Sequence, residues 1–113
     1  MNNLPYEYWL EKGFEVIEND YGFVVLAFHE NSCLVQDFYV RPSFRGTKIA
    51  FKLINEAVKL AKEKGCMLFC AEVYKSDPAY HYNVRLQRHF GMSIIEDTPY
   101  KTVTAKQLEL VYA

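Results

Sequence analysis

The sequence has no Cys-x-x-Cys pair, and its cysteines, Cys33, Cys66 and Cys70, are odd in number. Disulfide scaffolds and zinc knuckles need more thiols at closer spacing, so a reducing cytoplasm is the expected setting. Glycine and proline are scarce, five and four residues in 113, which excludes a low-complexity chain. No apolar run approaches the roughly 18 residues that span a bilayer, so no membrane partner is expected. The first residues, Met1 to Phe14, lack a positive segment followed by an apolar one, so no signal peptide is expected either. Nor is there an excess of positive charge. Thirteen Lys and Arg against fourteen Asp and Glu leave a net charge of −1. A protein held to nucleic acid by phosphate contacts is normally far more basic, so that partner is not expected. His29, His81 and His89 are scattered, none at ligand spacing from another donor, and no metal is expected. No Ser or Cys sits between elbow glycines, so covalent catalysis has no support.

What is present is material for a core. Half the residues are apolar and 16% are aromatic, in a length that suits one domain spanning residues 1–113. Pro5 and Gly13 bracket a short helix over Tyr6 to Lys12. Phe14 to Glu18, Phe23 to His29 and Cys33 to Val40 read as strands, separated by Asn19-Asp20-Tyr21-Gly22 and Glu30-Asn31-Ser32. Connections this short imply antiparallel neighbours. From Thr47 to Lys64 the apolar period becomes helical, with Leu53, Ala57 and Leu60 opposite a row of lysines and acids. Met67 to Tyr74 reads as a strand covered on both faces. Asp77 and Pro78 mark the start of a helix that ends at Gly91. Ser93 to Glu96 and Gln107 to Tyr112 are the last strand candidates. The expected order is α-β-β-β-α-β-α-β-β. The third strand, long helix and fourth strand should form a parallel unit within a mostly antiparallel sheet.

Chemistry points to the junction Val40-Arg41-Pro42-Ser43-Phe44-Arg45-Gly46-Thr47-Lys48-Ile49-Ala50. A loop with Arg and Gly runs into a helix start, where free backbone N–H groups and the positive end of the dipole favour an anion. Arg45 and Lys48 add charge, and Gly46 lets backbone approach a ligand closely. A plain strand-loop-helix link with a solvated arginine fits the same residues.

At this junction the chain resembles the GNAT acetyltransferase superfamily. That family's cofactor motif has Arg or Gln, two residues, Gly, one residue, then Gly or Ala, after a strand ending Val-x-Pro. Here it reads Val40-Arg41-Pro42 and Arg45-Gly46-Thr47-Lys48-Ile49-Ala50. The family's hydrophobic-Gly-aromatic signature at a later helix end appears as His89-Phe90-Gly91-Met92, and the resemblance covers about Phe23 to Tyr112. It implies an α/β fold of the acyl-CoA N-acyltransferase type, a mixed and mostly antiparallel sheet flanked by helices. It further implies acetyl-CoA as cosubstrate and direct attack by an amine on the thioester. The loop amides from Arg45 to Ala50 would hold the pyrophosphate, and Phe38, Tyr39 and Val40 would run along the pantetheine arm. Asn83 is counted with these cofactor contacts.

Two positions depart from the family pattern. Lys48 replaces the motif's central Gly, and Gln87 stands where the family often has a tyrosine acid. Glutamine cannot donate a proton in that role. Tyr80, two helical turns earlier, or the neighbouring Tyr82 would have to serve, although ordinary packing is the favoured explanation for either tyrosine in a chain with nine. Glu72, a carboxylate inside Phe69-Cys70-Ala71-Glu72-Val73, is the candidate base, with a surface strand end as the competing explanation. Gln36 interrupts the apolar set Leu34, Phe38, Val40 and is a candidate to orient water or substrate.

Two further readings compete with amine acetylation: a family member that binds CoA without turnover, and a small interaction protein. The acceptor amine, small molecule or protein, is not named by the sequence. The family's two helices between its first two strands have no room here, which implies an open acceptor cleft. An apolar final strand, Leu108-Glu109-Leu110-Val111-Tyr112, is expected to pair across a homodimer axis.

Overall fold

A computed structural model of the chain describes residues 4–46 and 48–109. The elements in order are α1 (Leu4–Glu11), β1 (Glu15–Asn19), β2 (Gly22–His29), β3 (Ser32–Val40), a 3-10 turn (Pro42–Phe44) and α2 (Lys48–Glu63). They continue with β4 (Leu68–Tyr74), α3 (Tyr80–His89), β5 (Ser93–Asp97) and β6 (Lys101–Gln107). One mixed six-stranded sheet results, ordered β1-β2-β3-β4-β6-β5. Only the β3–β4 pair is parallel, and α2 is its crossover.

Helix α2 lies on the sheet because its apolar positions recur on one face. Ala50, Leu53, Ile54, Ala57 and Ala61 are buried there. They meet Val24, Leu26, Val35 and Val40 from the strands, with Phe69 and Ala71 of β4 completing the core. Each large aliphatic side chain so buried is worth about 1.5–3 kcal/mol. That packing fixes the start of α2 against the end of β3, where the charged loop lies.

Two irregularities in β3 matter more. Val25 lies opposite Asp37 while Leu26 lies opposite Val35, so Gln36 is an extra residue, a bulge. The bulge breaks the alternation and leaves both Gln36 and Asp37 exposed. The second irregularity is on the other edge. β3 and β4 pair only from Ser32 with Leu68 to Val35 with Ala71, whereas β4 stays paired with β6 as far as Tyr74. β3 and β4 therefore part company after Val35, and a gap opens between them.

Several boundaries differ from the sequence reading. The last strand is Lys101–Gln107, not Gln107 to Tyr112. Leu108 is buried and its N–H donates to the Met67 carbonyl at 2.8 Å, so it presents no free edge. Residues 110–112, the rest of the expected dimer strand, lie outside the described residues. β4 is buried on one face only, through Phe69, Ala71 and Val73. Helix α3 starts at Tyr80, because Asp77 Oδ1 takes the Ala79 N–H at 2.8 Å and closes a turn instead of capping a helix. The link between β1 and β2 is the two residues Asp20 and Tyr21, with no helix.

That tight link brings Gly22 against β3. A methyl group at Gly22 would run into the backbone carbonyl oxygen of Tyr39, which has little room to retreat. Gly22→Ala is expected to cost about 1–3 kcal/mol, as overpacking does, and thermal unfolding will show it. An unchanged Tm would mean that β3 is free to shift.

Candidate functional site

The gap between β3 and β4 is bounded at its outer end by the Arg45 loop. Arg45 Nε donates to the Val40 carbonyl at 2.9 Å, and its guanidinium lies 5.7 Å from the Tyr39 ring centre and 5.8 Å from that of Tyr82. Gly46 has φ +78°, and nothing lies within 4 Å of where a Cβ would stand. Open space thus faces the backbone just before α2, as a close-bound anion requires. Lys48 is exposed at the first position of α2. Ala50 buries its methyl in the core, so only its backbone can serve a ligand. Ile49 is half-buried beside it, and Thr47 lies outside the described residues.

An outer recess of about 450 Å³ is lined by Phe23, Asp37, Phe38, Tyr39, Arg45, Asp77, Pro78 and Ala79. Small-ligand sites typically hold roughly 300–1,000 Å³. Past Val35 the edge of β3 that faces β4 has no strand partner, so its peptide groups can serve an extended ligand. Phe38, Tyr39 and Val40 are on that segment.

Further in, Gln36, Asp37, Glu72, Asp77, Asn83 and Gln87 line a polar cleft. The structure therefore gathers Gln36, Glu72 and Asn83, which are far apart in sequence. Glu72 Oε1 lies 3.3 Å from Lys101 Nζ, and the carboxylate raises the pKa of that ammonium. Gln87 Oε1 accepts from the Thr104 hydroxyl at 2.7 Å. Tyr80 is not part of the cleft lining. Its hydroxyl is 2.5 Å from Thr102 Oγ1, in a chain that continues to Asp97 at 3.0 Å and Lys75 at 2.8 Å. Tyr82 packs its ring against the core beside α2 and Arg45, and its hydroxyl is buried with no hydrogen-bond partner.

Sequence reasoning missed Asp37 and Asp77 as cleft residues. Although Asp37 as a whole is exposed, the cleft walls strip water from its carboxyl and push its pKa up. The Phe38 N–H works against this, and the nearby Asp77 adds to it. A raised folded-state pKa means the folded chain holds this proton more tightly than the unfolded chain does. The resulting stability is full below the ordinary aspartate pKa and is lost as pH rises through the folded value. Asp37→Asn is therefore expected to raise Tm at pH 7, with the two proteins converging in acid. The rise should be small, because water still reaches the group. A lower Tm for the variant at pH 7 would contradict this.

The thiols are poor nucleophiles here. Burial pushes Cys33 up to about 12 and raises Cys66 and Cys70 as well. Among the described residues no group of three or more His, Cys, Asp or Glu is placed to hold a metal ion. No described helix is long and apolar enough to cross a membrane.

Comparison with known proteins agrees with this geometry. The fold is similar to that of the PaiA N-acetyltransferase of Thermoplasma acidophilum in complex with coenzyme A. The TM-score is 0.71 at 16% identity, over 96% of this chain and 80% of that one. A GNAT family acetyltransferase of Elizabethkingia anophelis with acetyl-CoA bound gives 0.72 at 14%, over 95% and 84%. An acyl-CoA N-acyltransferase assignment from Klebsiella pneumoniae gives 0.68 at 19%, over 79% of this chain, which spans 64% of that one. No curated protein sequence matches the chain. The model of the acetyltransferase (GNAT) family matches residues 5–87, well over half the sequence. The strand-gap-helix arrangement thus has its family: the chain belongs to the GNAT acetyltransferases.

Proposed function

We propose that residues 1–113 form one acetyltransferase domain that moves the acetyl group of acetyl-CoA to an amine acceptor. The observation that carries this reading is the gap between β3 and β4, opening beside the empty space at Gly46 and the start of α2. In this reading the amides from Gly46 to Ala50, with Arg45 and Lys48, hold the pyrophosphate. The stretch from Phe38 to Val40, which has no strand partner on its β4 side, runs along the pantetheine arm, and Asn83 contacts that arm from α3. The bound cosubstrate supplies an activated thioester carbonyl. Glu72 takes a proton from the acceptor ammonium so that a neutral amine attacks, and Gln36 orients that amine. A new N–C bond replaces the S–C bond, and the thiolate leaves as a thiol once protonated. Neither candidate tyrosine reaches the cleft, because the Tyr80 hydroxyl is held by Thr102 and the Tyr82 hydroxyl is buried in the core, so the thiolate takes its proton from water.

One observation favours a second reading, a CoA-binding module without turnover. Gln87 stands at the tyrosine position and is tied to Thr104, so no proton donor is available there. Thiol release from acetyl-CoA across an amine panel separates the two. Release with at least one amine supports transfer, and stabilisation by acetyl-CoA without release supports the module. The cleft also lacks the wall that two extra helices would give, and a homodimer would supply one. Light scattering at micromolar concentration tests that part.

A further inference from the structure

We propose that Lys101 is a modification site, an amine of the chain that takes the acetyl group from the chain's own cosubstrate. This inference rests on the acetyl-transfer reading and adds a covalent modification to it. The pairs Lys64–Glu15 and Lys75–Asp97 join residues that do not line the polar cleft. Lys101 differs: its Nζ lies 3.3 Å from Oε1 of Glu72, which does line the cleft.

Strand register explains the placement. Phe69, Ala71 and Val73 form the buried face of β4, so Glu72 and Tyr74 turn to its other face, and both line the cleft. In the β4–β6 pairing Tyr74 lies opposite Lys101 and Glu72 opposite Val103. Opposed residues share a face, so Lys101 is the diagonal neighbour of Glu72 on that face, within reach of a long side chain. The Lys101 and Glu72 side chains are 30% and 27% exposed, so the pair is not sealed in the core. The amine facing the proposed base is therefore the chain's own, and an external acceptor has to take the same place.

The step balances without a further reactant. Glu72 takes one proton from the Lys101 ammonium, and the neutral nitrogen bonds to the acetyl carbonyl carbon as the S–C bond breaks. The nitrogen gives its second proton to water, and the thiolate takes a proton from water. Free CoA and an uncharged acetyl-lysine result. Glu72, with Glu96 and Tyr74 adding to it, raises the Lys101 pKa. Uncatalysed acetylation needs the neutral amine and is disfavoured at this lysine, so modification there marks transfer assisted by the base.

Peptide mass mapping of the full chain after incubation with acetyl-CoA, with no amine added, tests the site. Lys101 should be acetylated about a hundredfold faster than the exposed Lys52 and Lys59 of α2, as a general base supplies. The rate should not depend on protein concentration. Glu72→Gln should bring Lys101 down to the rate of the two helix lysines while the unfolding transition stays cooperative. Acetylation of Lys101 no faster than that of Lys52 and Lys59 would overturn the site. So would a rate unchanged in Glu72→Gln, or one proportional to protein concentration. Thiol release with external amines while Lys101 stays unmodified would overturn the site and leave transfer standing. Acetylation of Lys101 with no external amine accepted would uphold the site and overturn the external acceptor.

Discussion

Glu72→Gln is expected to lower kcat about a hundredfold or more, within the range a general base contributes, while CoA affinity is unchanged. The carboxylate stands on β4 at the polar cleft, opposite the bulge that turns Gln36 and Asp37 toward the same space. Glutamine keeps the shape and a hydrogen bond to a neighbour, but it cannot take the acceptor's proton. The acidic limb of the pH–rate profile should therefore disappear along with the rate. The Glu72–Lys101 pair is partly exposed, and such pairs contribute little to folding, so the variant should remain folded. If kcat is unaltered, Glu72 serves only to pair with Lys101, and Asp37 becomes the group to replace.

Neutralising Arg45 and Lys48 together should weaken CoA about tenfold or more, since a hydrogen bond to a charged group is worth about 1.5–3 kcal/mol. The comparison with a truncated pantetheine lacking the pyrophosphate gives the result its meaning. Arg45 also braces β3 through the Val40 carbonyl and two tyrosine rings, so some loss of pantetheine affinity is expected as well. The loss for CoA should be clearly the larger. Equal losses for both ligands would show that the two residues shape the strand and do not hold phosphates.

The junction of β3 and α2 was legible because local signals and tertiary packing agree there. Val40-Arg41-Pro42 ends a strand, Gly46 turns the chain at positive φ, and a strongly amphipathic helix begins at Lys48. The polar cleft was harder to read because it depends on a register shift. A polar pair, Gln36-Asp37, inside an otherwise apolar strand is the trace a bulge leaves, but alternation assigns the two residues to opposite faces. Only the pairing with β2 shows both exposed. Strand β6 was missed for a related reason. Thr102 and Thr104 are fully buried, and their hydroxyls are satisfied by Asp97 and Gln87. A strand that turns threonines inward looks polar until its partners are known. Apolar Leu108 to Tyr112 therefore drew the strand assignment downstream.

Glycine and aspartate show the same division between local and distant causes. Gly46 could be read from the turn it makes, whereas Gly22 is required by the carbonyl of Tyr39 on a neighbouring strand. Asp77 before Pro78 has the look of a helix cap. Its actual bond to the Ala79 N–H forms a turn, and that turn carries the carboxylate to the cleft.

The central claim is that CoA lies in the gap between β3 and β4, with its phosphates at the start of α2. Backbone amide chemical-shift mapping during a CoA titration tests it most directly. The account predicts the largest shifts at Phe38 to Val40, Arg45, Gly46 and Lys48 to Ala50, with a second group at Glu72 and Asn83. Shifts confined to the far edge of the sheet at β5 and β6, or none at saturating CoA, would contradict it.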